Sequence, residues 1–207
     1  MLVTMDLPTP AQMRGRLAAF AAICGAQSSE RRGCYADGPL WHFDDWGGNW
    51  AELHHDGGGR VVMVGNDHEY SETHYGPFAA MFGEPETDLL AGAPQWWAPY
   101  ARRVVDGGER LGFVYGFDGT WQRAGYDNYD GFDSVGIPAI DDVHCAELIA
   151  EFAKDGRTGE PDPAAIAALI AADADVTVEQ VAAVIGDRWD AAAGAAAARA
   201  FLAADLA

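Results

Sequence analysis

Hydrophobic and polar positions follow a helical period at both ends of the chain and a strand-like period in the middle. After Pro10, which suits the first position of a helix, apolar residues recur at helical spacing: Met13, Leu17, Phe20 and Cys24. From Pro39 to Asn66 the pattern changes to short strand-like runs separated by Gly-rich turns: Leu40–Phe43, Trp50–His55 and Arg60–Gly65. An amphipathic helix followed by an antiparallel meander is therefore predicted.

A second hairpin is predicted further along the chain. Its two runs, Leu111–Phe117 and Thr120–Tyr126, are connected by Asp118 and Gly119. An Asp-Gly pair favours the type I′ turn, whose twist matches that of the flanking strands.

The segments around this hairpin lack strand-like alternation. Prolines divide residues 71–107 into short helical pieces, which are expected to pack on the sheet through three aromatic residues, Trp96, Trp97 and Tyr100. Residues 126–138 are rich in Asp, Gly and aromatic residues and are predicted to form a long ordered loop.

Four helices are predicted to end the chain, of which the last three are short and Ala-rich: 142–153, 163–172, 178–185 and 188–204. Asp162 before Pro163 and the pair Thr177 and Gln180 are typical helix-start signals. The predicted fold class is α+β, with a meander and hairpin sheet packed with helices. The predicted organisation is an α+β domain over residues 1–155 and a helical subdomain over residues 161–207.

Charge narrows the set of partners. The chain has 13 Lys and Arg residues against 32 Asp and Glu residues, which gives a net charge of −19. Nucleic acids and anionic membrane surfaces are poor partners for such a chain, because it has no basic patch to neutralise phosphates. A basic protein is the complementary partner, although high negative charge also serves solubility alone.

The spacing of the cysteines and the pattern of the N-terminal residues indicate the cellular compartment. The three cysteines, Cys24, Cys34 and Cys145, are far apart in sequence and match neither a disulfide framework nor paired zinc ligands. No signal-peptide pattern and no apolar stretch of membrane-spanning length is present. The sequence therefore predicts a cytoplasmic protein, and its single lysine among many Arg, Ala and Gly residues indicates a GC-rich bacterial genome.

Five of the six histidines lie between residues 42 and 74, which invites a metal-site interpretation. If Asp56–Gly59 close a hairpin, the numbers of opposite residues sum to about 115 or 116, so His54 lies opposite Val61 or Val62. Five or six residues at about 3.3 Å each then separate His54 from His68 by roughly 17–20 Å. The two side chains therefore cannot share a metal ion.

The same arithmetic gathers polar residues at one end of the meander. It places Asn66 and Asp67 beside Gly48 and Asn49, next to further acidic groups. The candidate site comprises Asp44, Asp45, Asn49, Asn66, Asp67, His68 and Glu69. Carboxylates packed this closely need an Arg, a divalent cation or a partner's basic group to relieve their repulsion.

Two kinds of site are compatible with these residues. If residues 68–72 are helical, Glu72 or Asp67 can orient His68 as a general base, with a divalent cation held by Asp44, Asp45 and Asp67. Alternatively, Asp67 and Ser71 cap a helix start and His68 is solvated. Trp46, in a turn between Asp45 and Gly47, is the best candidate for an exposed binding anchor.

Several catalytic motifs are absent from the sequence. The spacing of His68, Glu69 and His74 does not match HExxH, and no nucleotide-binding or GxSxG motif is found. His144 and Cys145 are adjacent on a predicted helix, where neighbours do not face each other, so they do not form a catalytic dyad.

Two sequence segments resemble those of an uncharacterised actinobacterial family: GNDHEYSETHYG (residues 65–76) and ETDLLAGAPQWW (residues 86–97). The resemblance implies origin and no activity. The order of elements is also similar to that of small intracellular immunity proteins, by analogy only.

Besides a structural role in which the helical C-terminal part mediates self-association, two functions therefore remain open. In the first, the protein is an inhibitor- or immunity-type module that binds a basic partner through the acidic, Trp-bearing end of the sheet. In the second, it is a hydrolase or isomerase acting on a small molecule, with His68 as general base.

Overall fold

The structure is a computed structural model, and it describes residues 1–27 and 33–204. Seven strands lie in these ranges: β1 (Leu2–Met5), β2 (Cys34–Asp37), β3 (Leu40–Asp44), β4 (Trp50–Gly57), β5 (Arg60–Asn66), β6 (Phe113–Phe117) and β7 (Trp121–Ala124). They form one antiparallel sheet in the order β1-β7-β6-β5-β4-β3-β2. The predicted α+β class and the predicted meander are confirmed.

The described residues also contain seven α-helices: α1 (Pro10–Gln27), α2 (Pro77–Phe82), α3 (Ala98–Asp106), α4 (Asp142–Ala153), α5 (Pro163–Ala171), α6 (Val178–Ile185) and α7 (Ala191–Arg199). The predicted helix starts are confirmed, since Asp162 accepts a hydrogen bond from the Ala164 N–H and Thr177 forms a reciprocal capping box with Gln180. None of the described helices has the length and apolar character needed to cross a bilayer.

The chain divides into two compact units whose boundaries differ from the predicted domains. The first unit comprises Met1–Thr9 and Asp44–Gly136, and the second comprises the described parts of Pro10–Phe43 and Ile137–Asp205. The second unit takes in the first helix because α1 packs against α4, α5 and α7. The predicted boundary near residues 156–161 falls inside this unit, and residues 205–207 of the predicted subdomain lie outside the described ranges.

Small residues bring the helices of the second unit close together. A side chain at Gly194 of α7 would overlap the backbone carbonyl of Ala22 in α1. Two ion pairs add to this packing: Arg14 binds Asp173 at 2.5 Å and Arg16 binds Asp142 at 2.6 Å. The short Ala-rich helices therefore pack on one another, as their composition suggested.

The register of the first unit places the residues of interest. His54 lies opposite Val62 and Trp50 opposite Asn66, so opposite numbers sum to 116 over this part of the β4–β5 hairpin. Gly58 and Gly59 form its turn with positive φ angles of 59° and 73°. His54 is thus far along the strand from the end that carries His68, as predicted.

The second hairpin differs from prediction at its turn. Phe117 pairs with Trp121, which leaves three loop residues rather than two. Gly119 has a positive φ of 78°, whereas Asp118 is not among the residues with positive φ. A type I′ turn needs positive φ at both central positions, so the predicted turn type is wrong.

Aromatic residues pack the irregular segment of the first unit onto its sheet. Trp97, 1% exposed, lies against Gly116 of β6, where any side chain would overlap its indole ring. Around it lies an apolar cluster of buried residues: Val62, Val64, Leu89, Ala101, Val104, Leu111 and Val114. This cluster joins β5 and β6 of the sheet to α3 and the segment before it.

Candidate functional site

The loop that follows β3 is folded around one carboxylate. Asp45 Oδ1 accepts hydrogen bonds from the N–H groups of Gly47 and Asn49, at 2.7 and 3.0 Å. Its Oδ2 accepts from Asn49 Nδ2 at 2.9 Å, and the Asp45 N–H donates to the Asn49 carbonyl. Asp45 therefore serves as the internal brace of this loop.

Asn49 joins the loop to the turn that follows β5. Its Oδ1 accepts from the His68 N–H at 2.9 Å and lies 3.0 Å from His68 Nδ1. The His68 ring also lies against Gly48, whose φ of 106° and lack of a side chain leave room for it. The structure thus brings together Asp45, Asn49 and His68, which sequence reasoning had grouped at this strand end.

Asp67 lies beneath this turn and is fully buried, at 0% exposure. Its Oδ1 accepts from the N–H groups of Glu69 and Tyr70, at 2.9 and 2.7 Å, and its own N–H donates to Ser71 Oγ. Its Oδ2 and the Oδ1 of neighbouring Asn66 are buried and have no hydrogen-bond partner among the described residues. Asp67 therefore holds the turn from inside and does not present its carboxylate to solvent.

Trp46 occupies the exposed tip of the loop. Its side chain is 46% exposed, and its φ of 57° lies in the left-handed region that few non-glycine residues adopt. The Trp46 N–H donates to Asp44 Oδ1 at 3.0 Å. We call residues 44–49 and 67–70 the strand-end face; it also exposes His68, Glu69 and Tyr70, the last at 57%.

Backbone N–H groups that donate to these carboxylates offset much of the expected repulsion between them. Asp44, Asp45 and Asp67 each accept backbone N–H bonds within their own turns. Among the described ranges, no group of three or more His, Cys, Asp or Glu side chains is arranged to hold a metal ion. A cation shared by Asp44, Asp45 and Asp67 is therefore not supported.

The predicted helical contact between His68 and Glu72 does not form, because residues 68–70 make a turn and residue 71 leaves it. His68 Nε2 lies instead 3.9 Å from Glu69 Oε1. Glu72 lines a separate pocket to which His68 does not belong. Of the three groups proposed for an enzyme, one is exposed, one is buried and one lines this pocket.

That pocket has a volume of about 340 Å³ and a strongly acidic lining. We call it the acidic pocket, and its polar walls include Glu72, His74, Glu84, Glu86, Asp88 and Tyr126. Its two sides are joined where the Thr87 N–H donates to the His74 carbonyl and the His74 N–H donates to Thr87 Oγ1. Sequence reasoning missed it, although the alternation of Glu84, Glu86 and Asp88 in an extended segment is a usable signal.

The tyrosine wall of the acidic pocket is fixed by a buried carboxylate. Asp130 Oδ2 accepts from the hydroxyls of Tyr115 and Tyr126, at 2.8 and 2.7 Å. Burial first, and then the charge of Asp130, raise the pKa values of both tyrosines above their ordinary range. Asp130 also accepts from Ser71 Oγ through its backbone carbonyl, which ties residues 126–136 to the turn of Asp67.

The remaining sequence candidates have structural roles. Cys145 is fully buried, and burial raises the pKa of its thiol to about 12. The N–H of neighbouring His144 donates to Asp141 at the start of α4. Cys24, Cys34 and Cys145 are all buried, and none of them forms a disulfide bond among the described residues.

Comparison with known proteins gives no relative from which a function could be transferred. No family model matches the chain, and neither a curated protein nor a solved structure is significantly similar to it. A functional hypothesis must therefore come from the geometry of its own residues.

Proposed function

We propose that this protein binds a basic protein partner through the strand-end face, as an inhibitor- or immunity-type module does. The observation that carries the proposal is Trp46. A large aromatic side chain is displayed at 46% exposure on a left-handed backbone, which the surrounding carboxylates hold in place. Strained conformations of this kind persist where the surrounding structure enforces them, and they cluster at functional sites.

The surroundings of Trp46 suit a basic partner. Aromatic anchors within a polar rim are the usual centre of protein interfaces, and Tyr70 supplies a second exposed ring. Glu69 is exposed beside it, and the net charge of −19 steers a positively charged surface towards the molecule.

The enzyme alternative has less support. A general base needs a substrate pocket within hydrogen-bond reach, and His68 lies on an exposed turn outside the acidic pocket. Asp67, its proposed orienting group, uses Oδ1 to hold the turn.

The test begins with capture of partners from a bacterial extract at low salt and their elution at high salt. Each eluted protein is identified, purified and titrated against the wild type and Trp46→Gly. Glycine adopts positive φ freely, so this variant removes the anchor without straining the loop. We expect Trp46→Gly to weaken binding at least tenfold.

Leu202→Ala is the matched control, because Leu202 is also 46% exposed but lies in the second unit. It should leave the affinity within twofold of the wild-type value. Salt-insensitive binding, or equal affinity of wild type and Trp46→Gly for every basic protein recovered, would overturn the proposal.

A further inference from the structure

Glycine follows aspartate at six places in the chain: Asp37–Gly38, Asp56–Gly57, Asp106–Gly107, Asp118–Gly119, Asp130–Gly131 and Asp155–Gly156. The backbone nitrogen that follows an aspartate can attack the side-chain carboxyl group, and glycine hinders this attack least because it has no side chain. The reaction needs a carboxyl group that is free to turn, a glycine nitrogen without a hydrogen bond, and a backbone that can rotate. The fold therefore determines which of six chemically similar pairs can react.

Two of the six carboxylates are engaged on both oxygens. Asp56 Oδ1 accepts from the Tyr100 hydroxyl at 2.7 Å, and its Oδ2 pairs with Arg60 at 2.6 Å. Asp130 is 7% exposed, and its two oxygens accept from two tyrosine hydroxyls and one backbone N–H. Neither side chain can turn towards the following glycine without losing these bonds.

In three further pairs the backbone is held. Asp37 is the last residue of β2 and lies in the ladder with β3. The Gly107 N–H, at the end of α3, donates to the Arg103 carbonyl at 3.1 Å, as in the body of a helix. Gly156 is buried, and a Cβ there would lie 2.8 Å from the Trp189 ring. Each of these contacts opposes the rotation that ring closure requires.

Asp118–Gly119 combines all three requirements. The pair lies in the three-residue loop between β6 and β7, and both residues are exposed. The Asp118 carboxylate makes no hydrogen bond or ion pair with any described residue, and the Gly119 N–H has no acceptor among them. Apart from the neighbouring residues, no heavy atom lies within 4 Å of the position that a side chain at Gly119 would take. The hydrogen bond across the loop, from the Asp118 N–H to the Thr120 carbonyl, is long at 3.4 Å.

We propose that Asp118–Gly119 is a site at which the chain isomerises spontaneously to isoaspartate through a cyclic succinimide. The Gly119 backbone nitrogen attacks Cγ of the neutral Asp118 carboxyl group and forms a C–N bond. The hydroxyl of that carboxyl group leaves as water, together with the proton of the N–H group. Water then adds to one of the two imide carbonyls and cleaves its bond to nitrogen. Cleavage at Cγ restores aspartate, whereas cleavage at the main-chain carbonyl carbon gives isoaspartate.

The product alters the hairpin at its turn. Isoaspartate carries the chain through its Cβ and Cγ, so it adds one methylene group to the backbone and leaves the former main-chain carboxylate as a side group. The altered turn adjoins the pair Phe117 and Trp121, whose indole is buried and donates to the Pro8 carbonyl. Because loop tips open most easily, residue 118 is also where an isoaspartate-specific methyltransferase would find its substrate in this protein.

The test is incubation of the purified protein for several weeks at neutral pH in water enriched in a heavy oxygen isotope. Proteolysis in ordinary water and mass spectrometry with electron-transfer fragmentation follow. Each passage through the succinimide places one heavy oxygen atom in the residue, whether it returns as aspartate or as isoaspartate. We expect label and isoaspartate to accumulate at residue 118 at least fivefold faster than at any of the other five pairs. An equal rate at another pair, or no label at residue 118, would overturn the proposal.

Asp118→Glu is the matched variant, because the longer side chain of glutamate must close a larger ring, which forms far more slowly. It should lose the label at residue 118 and keep the slow rates of the other pairs. The same incubation in guanidinium chloride separates the fold from the local sequence, since glycine follows all six aspartates. The six rates should then agree within threefold, and a preference for Asp118 that persists in the unfolded chain would contradict the role assigned to the fold.

Discussion

At the scale of single residues, Asp67 shows how burial changes the meaning of a carboxylate. In the sequence it stands beside His68 and resembles a carboxylate that orients a general base. In the structure it is fully buried and receives the N–H groups of Glu69 and Tyr70. Its contribution is therefore to the shape of the turn that carries His68, because buried donors left without acceptors are costly.

Replacement of Asp67 should consequently change the stability of the protein. We expect Asp67→Ala to lower the free energy of unfolding by about 2 kcal/mol, since two turn N–H groups lose their acceptor. Asp67→Asn keeps an Oδ1 and should cost about half as much. Urea denaturation followed by fluorescence measures both.

Asp88→Ala is the control for this prediction. Asp88 also caps a turn N–H, that of Leu90, but it is exposed and water can replace it. Its loss should cost less than about 1 kcal/mol. A cost for Asp88→Ala equal to that of Asp67→Ala would contradict the role assigned to burial.

Trp46 and Asp67 also differ in how far their exposure can be predicted from the sequence. The exposure of Trp46 follows from its position between Asp45 and Gly47, because such a turn cannot direct a large ring into a core. The burial of Asp67 could not be predicted, since Gly131, at least 60 residues further along the chain, packs so closely that any side chain there would overlap Asp67 and Ser71. The acids of the pocket are likewise united by packing between distant segments.

At the scale of elements, the hydrophobic pattern predicted strands and helices where they were long or well marked. Hairpin β4–β5 and helices α4–α6 match their predicted positions within a few residues. Strands β1 and β2 were missed because each has only four residues and a mixed burial pattern. The turn between β6 and β7 was predicted one residue too short. The Asp118–Gly119 pair indicates a turn, but it does not determine which residues of the two strands lie opposite each other.

The packing of α3 and the turn before it onto the sheet depends on one glycine. Gly116→Ala should lower the free energy of unfolding by about 1–3 kcal/mol, because its methyl group would overlap the buried indole of Trp97. Chemical denaturation measures this loss. When Trp97→Leu replaces the indole with a smaller side chain, Gly116→Ala should lower the free energy of unfolding by less than it does in the wild-type background. An unchanged loss would show that the added methyl group does not clash with Trp97.

At the scale of the whole molecule, each unit contains a hydroxyl or thiol that is held neutral by burial. In the first unit, burial and then a hydrogen bond to Asp56 raise the pKa of Tyr100 to about 12. In the second unit, burial raises the pKa of Cys145 to about 12. Both groups ionise more readily in the unfolded chain than in the folded one.

Stability should therefore fall at high pH. A raised folded-state pKa contributes stability that is complete below the ordinary value, 9.0 for Cys145 and 10.0 for Tyr100, and is lost as the pH rises to about 12. Urea unfolding between pH 8 and pH 11 should show this decline. Tyr100→Phe and Cys145→Ala should each show a shallower decline than wild type, and a flat wild-type profile would contradict the assignment.

The exposed ring of Trp46 makes the protein its own optical reporter. Trp41, Trp97 and Trp121 are at most 1% exposed, whereas Trp46 is 46% exposed and the other three tryptophans are half-buried. A collisional quencher dissolved in water therefore reaches this ring first. Since the surface is strongly anionic, caesium ions should quench the emission more effectively than iodide, and occupation of the strand-end face should shield the ring from both.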